Sequence, residues 1–129
     1  MSIMDGTQST EASGQSRAWD NVRIEVENVV ARSTDAFNPD TLANVRDLLK
    51  FCCKESPVLT NVEKGYWSTI CLSWPQFEIE VFEDRLEIYR FHDQHSDIWY
   101  EEHLAGDAFT SRFLTEMAKL ASPENPSPK

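Results

Sequence analysis

Apolar and polar residues alternate along the middle of the chain, between residues 70 and 101. A period of two is typical of strands that bury one face and expose the other. Short breaks at Pro75-Gln76, near Asp84 and across residues 92–96 divide this region into four segments, and each break suits a hairpin turn. The pattern therefore predicts four consecutive antiparallel strands, a β-meander.

The pairing of these strands can be checked for consistency, because a slip of one residue moves every side chain of a strand to the other face. Two-residue turns at Pro75-Gln76 and Glu83-Asp84 predict apolar pairs on one face: Leu72 with Ile79, Ile70 with Val81, Val81 with Leu86, and Ile79 with Ile88. A five-residue loop over residues 92–96 then places Ile88 opposite Tyr100. The three hairpins agree in phase, so we predict one apolar face on the sheet.

Helical spacing precedes the alternating region. Residues 19–31 fit a helical stripe and, over a shorter stretch, a strand; we predict a helix because the stripe spans the longer window. Asn38 is suited to cap a second helix and Pro39 to occupy its first position, and Ser56-Pro57 would end it. The sequence thus predicts two helices before the sheet.

A third helix is predicted after the strands, with Asp107 as its cap. Its apolar stripe recurs at spacings of three and four residues: Phe109, Phe113, Met117 and Leu120. One layer of helices on an antiparallel sheet buries the apolar surfaces of both. We therefore predict an α+β fold of two layers, in which a four-stranded antiparallel meander has helices, two before it and one after, packed on one face.

Composition divides the chain into three parts. Residues 1–18 are rich in Ser, Thr, Gln and Gly and contain no aromatic residue, and residues 122–129 contain three prolines. Neither segment contains an aromatic side chain to anchor it, so both are predicted to be disordered tails. Residues 19–121 are predicted to form a single domain.

The charge balance excludes several classes of partner. Asp and Glu number 22 against 12 Lys and Arg, a formal net charge of −10, and phosphate-rich partners are bound by clustered cations. We therefore expect no nucleic-acid binding and no membrane binding. The start of the chain lacks the basic and apolar regions of a secretory signal, and two of the three cysteines are adjacent, which suits free thiols in a reducing compartment. These features predict a cytoplasmic protein.

Acidic residues concentrate in residues 77–103, which hold nine of them and two arginines. In the predicted register the face opposite the apolar one combines carboxylates with aromatic rings: Glu78, Glu80, Glu87, Glu101, Phe82, Tyr89, Phe91, Trp99 and Trp67. Glu80 would lie directly across from Glu87, and facing like charges destabilise a sheet, so we expect a cation nearby. The face is either a solvated surface or a docking surface for a basic protein, on which Trp99 and Tyr89 serve as anchors; a homodimer that buries the rings is a third interpretation.

Four residues with metal-binding side chains gather around the third predicted hairpin: His92, His95, Asp97 and His103. Imidazole and carboxylate ligands can hold zinc or another divalent metal, so a metal-binding domain or a small metal-dependent enzyme is the alternative interpretation. The sequence has no helical HExxH motif, Gly-rich phosphate loop or nucleophile elbow, and we expect no catalytic residue and no cofactor.

The predicted function is a small, acidic, non-enzymatic binding module. It resembles inhibitors, immunity proteins and secretion chaperones in size, charge and architecture. The predicted docking residues are Glu78, Glu80, Glu87, Glu101, Tyr89, Phe91 and Trp99, and the predicted partner is a basic protein surface.

Overall fold

The order of the elements follows the periods in the sequence. A computed structural model describes residues 2–120, with side chains from residue 16 onward. Its elements are α1 (Ser2–Arg32), α2 (Pro39–Glu55), β1 (Asn61–Lys64), β2 (Ile70–Trp74), β3 (Phe77–Val81), β4 (Arg85–Phe91), β5 (Ser96–Glu102) and α3 (Ser111–Leu120).

The strands form one antiparallel sheet in chain order, β1 to β5. The α+β class, the meander and the placement of two helices before the sheet and one after it are confirmed. The sheet has one strand more than predicted, because β1 was missed. Only Val62 is buried among its four residues, and a single apolar residue produces no alternation that sequence analysis can detect.

The first two predicted hairpins have the predicted register. Ile79 pairs with Leu72 on one side and with Ile88 on the other. Gln76, at the first turn, has a φ of 62°, in the left-handed region that tight hairpin turns use. The predicted confrontation of Glu80 with Glu87 is also present.

The third predicted hairpin is wrong by one residue. Phe91 pairs with Ser96, so that the loop contains four residues instead of five, and His92 N–H donates to His95 O at 2.8 Å across it. Ile88 consequently pairs with Trp99 and not with Tyr100. Because the side-chain period is two, this slip moves every side chain of β5 to the face opposite the predicted one.

One core lies between the sheet and the helices. It is built from the apolar side chains of one sheet face and of all three helices, together with Leu59 of the α2–β1 connection: Trp19, Val22, Val26, Val29, Val45, Leu48, Leu49, Cys52, Val62, Ile70, Leu72, Trp74, Phe77, Ile79, Val81, Leu86, Ile88, Phe113 and Met117. The helices therefore cover a single face of the sheet, as predicted, and this face is called the inner face below.

Helix ends agree with the prediction at α2 and differ at α3. Asn38 Oδ1 accepts a hydrogen bond from Asp40 N–H at 2.7 Å, which confirms it as the cap of α2. At α3 the cap is Thr110, whose Oγ1 accepts from Phe113 N–H at 3.1 Å. Asp107 instead accepts from Leu104 N–H within the preceding turn, where Gly106 has a φ of +97°, so the prediction of Asp107 as the cap is wrong.

The predicted helix over residues 19–31 is confirmed as part of α1. The α1 backbone extends back to Ser2, into the segment that composition predicts to be a tail, whereas Trp19 is its first buried side chain among those described. The division of the chain at residues 18 and 121 stays a prediction, and the tail predicted over residues 122–129 lies outside the described residues.

All three cysteines are free, and only Cys52 is fully buried. None of the described helices combines the length and the apolar character that crossing a membrane requires.

Candidate interaction surface

The sheet face that points away from the core is called the open face. In the observed register, alternate residues of the five strands give it five glutamates and four large apolar side chains beside a single arginine. These residues are Glu63, Glu78, Glu80, Glu87, Glu102, Tyr89, Phe91, Ile98, Tyr100 and Arg85. The acidic and aromatic character predicted for this face is present, with changes in which residues supply it.

The apolar side chains of the open face lie together on β4 and β5. Ile98 pairs with Tyr89 across the ladder, and the rings of Tyr89 and Phe91 stack with their centroids 6.3 Å apart. Ile98 is 63% exposed, Tyr100 65% and Phe91 41%. We call Tyr89, Phe91, Ile98 and Tyr100 the apolar patch. A soluble domain rarely exposes adjoining large apolar side chains, and such patches mark interaction sites.

Glu80 lies on the open face but is not accessible to a binding partner there. Its side chain is 9% exposed, and its Oε2 accepts a hydrogen bond from Thr69 Oγ1 at 2.5 Å. The loop between β1 and β2 closes over it at Gly65, where an added Cβ would collide with both Thr69 Oγ1 and Glu80 Oε2. Glu80 is therefore a buried acceptor that anchors this loop, and its predicted exposure as a docking carboxylate is corrected.

The cation expected near the paired glutamates is Arg85. Its Nε donates to Glu87 Oε2 at 3.0 Å, it also pairs with Asp84, and its guanidinium lies 3.9 Å from the centroid of the Phe82 ring. Tyr89 O–H donates to the second oxygen, Oε1, of Glu87 at 3.2 Å. Glu87 is thus held by neighbours within its own face, while Glu78 and Tyr89 stay half-buried beside it.

Two neighbouring groups on this face remain uncharged at neutral pH. Burial, followed by the charges of Glu87 and Glu80, raises the pKa of Tyr89 to about 12. Burial, followed by the charges of Glu80 and Glu78, raises the pKa of the Cys71 thiol well above its ordinary value. Since a thiolate is the reactive form of cysteine, Cys71 is not an activated nucleophile.

Trp99 and Glu101 lie on the inner face, so their predicted placement on the open face is wrong. Trp99 Nε1–H donates to Glu101 Oε2 at 3.2 Å, and Thr110 Oγ1–H donates to Glu101 Oε1 at 2.6 Å. The Arg112 guanidinium lies over the Trp99 ring, 4.1 Å from its centroid. These contacts join β5 to the start of α3, and Ile98 and Tyr100 take the positions on the open face.

A second exposed aromatic pair lies at the tip of the β1–β2 loop. Tyr66 and Trp67 are both largely exposed, and their rings meet edge to face with centroids 4.7 Å apart. Lys64 Nζ donates to Trp67 O at 3.0 Å and pairs with Asp35 in the α1–α2 connection. Trp67 is among the rings predicted for the open face, and the structure places it in this loop beside Tyr66, which the sequence analysis did not single out. Neither ring lies in an alternating strand segment, so periodicity does not predict its position.

The four residues of the predicted metal cluster are divided between two places. His92, His95 and Asp97 come together at the β4–β5 hairpin, where His92 Nε2 lies 2.9 Å from Asp97 Oδ2. The hydrogen bond with His92 lowers the pKa of Asp97. His103 is buried elsewhere, with its Nε2 2.9 Å from Asp47 Oδ2 and its ring stacked on Phe109, and is removed from the candidate set.

Comparisons of this chain with protein-family models, with curated proteins and with solved structures find no match.

Proposed function

We propose that the protein is a cytoplasmic, non-enzymatic binding module that docks a basic protein surface on its open face. The observation that carries the proposal is the apolar patch, in which Ile98, Tyr100 and Phe91 are exposed on two adjacent strands. Side chains of this size are the usual anchors of protein interfaces. The half-buried Tyr89 forms the base of the patch.

The carboxylates of the open face support a partner of positive charge. Glu63 and Glu102 are exposed on the outer strands of the open face, and Glu78 and Glu87 are half-buried between them. Arg85 neutralises only part of this charge, because it is shared between Glu87 and Asp84. An acidic rim steers a basic partner during approach, while the apolar centre resists separation once contact is made.

The free edge of β5 favours a different protein over a second copy of this chain. Residues of an antiparallel strand alternate between those that hydrogen-bond to the neighbouring strand and those that do not. At the two ends of the β4–β5 ladder, His95 and His103 hydrogen-bond to His92 and Asp84. Ile98 and Tyr100 occupy the alternate positions, so their backbone N–H and C=O groups point away from β4. An antiparallel copy of β5 centred on Trp99 would set Asp97 opposite Glu101 of that copy. Facing like charges are unfavourable, so this pairing of two copies is disfavoured.

Quantitative affinity capture from the native cell tests the proposal with three baits. The baits are the unaltered chain, Ile98→Lys on the apolar patch, and Ile24→Lys on the exposed side of α1, where the parent side chain is 55% exposed. We expect a basic protein to be retained by the unaltered and Ile24→Lys chains and to be depleted at least about tenfold by Ile98→Lys, equivalent to about 1.4 kcal/mol. Equal retention by all three baits would contradict docking at this face. Sedimentation of the unaltered chain as a dimer that Ile98→Lys dissociates would instead favour the homodimer.

A further inference from the structure

We propose that the hairpin joining β4 and β5 binds a divalent transition-metal ion, Zn²⁺ being the best match, through His92, His95 and Asp97. Each of the three offers one ligand atom, these atoms all lie within 4.8 Å of one another, and all three residues are exposed. The proposed site adjoins the apolar patch, because His92 follows Phe91 and Asp97 precedes Ile98, but it uses no residue of the patch and does not depend on the docking function.

The loop that carries the two histidines is anchored by backbone hydrogen bonds. His92 N–H donates to His95 O at 2.8 Å across the loop, and Phe91 N–H donates to Gln76 O at 2.9 Å, which ties the hairpin to the β2–β3 turn. The two imidazole rings stack with their centroids 4.3 Å apart and their planes 19° from parallel. Both histidines therefore face the same side of the loop without any rearrangement of the backbone.

The Asp97 carboxylate approaches both imidazoles. His92 Nε2 is 2.9 Å from Asp97 Oδ2, and His95 Nε2 is 3.9 Å from Asp97 Oδ1. Ligands of a tetrahedral zinc ion, at bond lengths near 2.0–2.1 Å, are separated from one another by about 3.3 Å. The three ligand atoms lie within 4.8 Å of one another, at most about 1.5 Å farther apart than this value, a difference that rotations of these exposed side chains can close.

The ligand types select the class of metal. Two imidazoles and one carboxylate suit zinc and its neighbours in the first transition row, whereas Ca²⁺ and Mg²⁺ prefer sites made of oxygen. Three protein ligands leave a fourth tetrahedral position for water or for a group from another molecule. His103 contributes nothing to this site, because it is buried against Asp47 and Phe109.

Calorimetric titration of the chelator-treated full-length chain with Zn²⁺ tests the site. We expect one equivalent to bind with a Kd on the order of micromolar or tighter. His92→Asn, His95→Asn and Asp97→Asn should each raise this Kd by more than about tenfold, since each removes a direct ligand. Asp93→Asn is the matched control, because Asp93 is an exposed acid of the same loop that lies outside the cluster, and it should change the Kd by less than about twofold.

NMR locates the bound ion, and circular dichroism checks the fold of the variants. In NMR spectra, added Zn²⁺ should shift the imidazole signals of His92 and His95 and leave those of His103 unchanged. Circular dichroism should show that each variant remains folded. A Kd weaker than about 10 μM in the unaltered chain would overturn the proposal. So would Zn²⁺ affinity that is the same in Asp97→Asn as in Asp93→Asn, an outcome that would place any bound ion elsewhere, for example on the cysteine thiols.

Discussion

The two faces of the sheet are built from the same strands and differ in what covers them. On the inner face Ile79, Leu86 and Ile88 are completely buried under the helices, whereas on the open face Ile98 and Tyr100 keep most of their surface in contact with solvent. Removing apolar surface from water stabilises a fold in proportion to the area buried. The inner face therefore supplies stability, and the apolar side chains of the open face contribute little to it.

Polar residues show the same contrast within the open face itself. Glu80 and Glu87 are direct cross-strand partners, yet the β1–β2 loop covers Glu80 while Glu87 remains half-buried beside Arg85 and Tyr89. Neighbouring positions of identical chemistry thus have different roles. Coverage by another element, and not residue type or strand position, separates structural side chains from those exposed for binding.

The largest expected loss of stability follows from truncating a side chain that covers the inner face. Phe113 is fully buried, with ring centroids 4.9 Å from Phe109 and 5.9 Å from Phe51. Phe113→Ala should lower the free energy of unfolding by about 3–5 kcal/mol, because it removes buried surface and leaves a cavity. Urea denaturation measures the change, and the exposed neighbour in Leu114→Ala should cost less than about 1 kcal/mol. Similar losses for both variants would contradict the packing of α3 on the sheet.

An intermediate effect is expected for the paired glutamates. Glu80→Ala removes the buried acceptor of Thr69 Oγ1 and should lower the free energy of unfolding by about 1–3 kcal/mol. Glu87→Ala removes a partly exposed pair with Arg85 and should cost less than about 1 kcal/mol. Parallel urea denaturation of the two variants measures the difference. If Glu87→Ala proves the more destabilising, the conclusion that Glu80 is the structural member of the pair is wrong.

The smallest effect is expected at the apolar patch. Ile98→Lys removes an apolar side chain that is mostly exposed and contacts its cross-strand partner Tyr89. A cross-strand pair contributes roughly 0.2–1 kcal/mol, so the free energy of unfolding should fall by less than about 1 kcal/mol. Thermal and urea unfolding provide the measurement. A loss above about 2 kcal/mol would show that Ile98 belongs to a packed interior and would remove it from the open face.

Much of the fold could be predicted because several patterns agreed. The pairs around Ile79 followed from alternation and from two-residue turns, which leave only one phase that keeps apolar residues together. Asn38 followed from the local chemistry of helix caps. Asp107 failed as a cap because the turn at Gly106 uses its carboxylate for Leu104 N–H, and Thr110 lies where α3 begins.

The candidate site was predicted less completely. Glu78, Glu87, Tyr89 and Phe91 lie on the predicted face, whereas Trp99 and Glu101 do not. Ile98, Trp99 and Tyr100 are consecutive apolar residues, so an apolar side chain falls on the inner face in either register of β5. The polar run of residues 92–96 gives no preference between a loop of four residues and one of five.

The α+β class, the meander and the acidic, aromatic character of one sheet face could be predicted, because they follow from periodicity and charge within short segments of the sequence. The tertiary structure alone decided the phase of β5, which depends on pairing with β4 and on the contacts of Thr110 and Arg112 with Glu101 and Trp99. It also decided the burial of Glu80 and the separation of His103 from the other histidines. These outcomes depend on contacts between different elements, from 9 residues apart for Thr110 and Glu101 to 56 for His103 and Asp47, and the side-chain pattern within one element does not specify which other element will contact it.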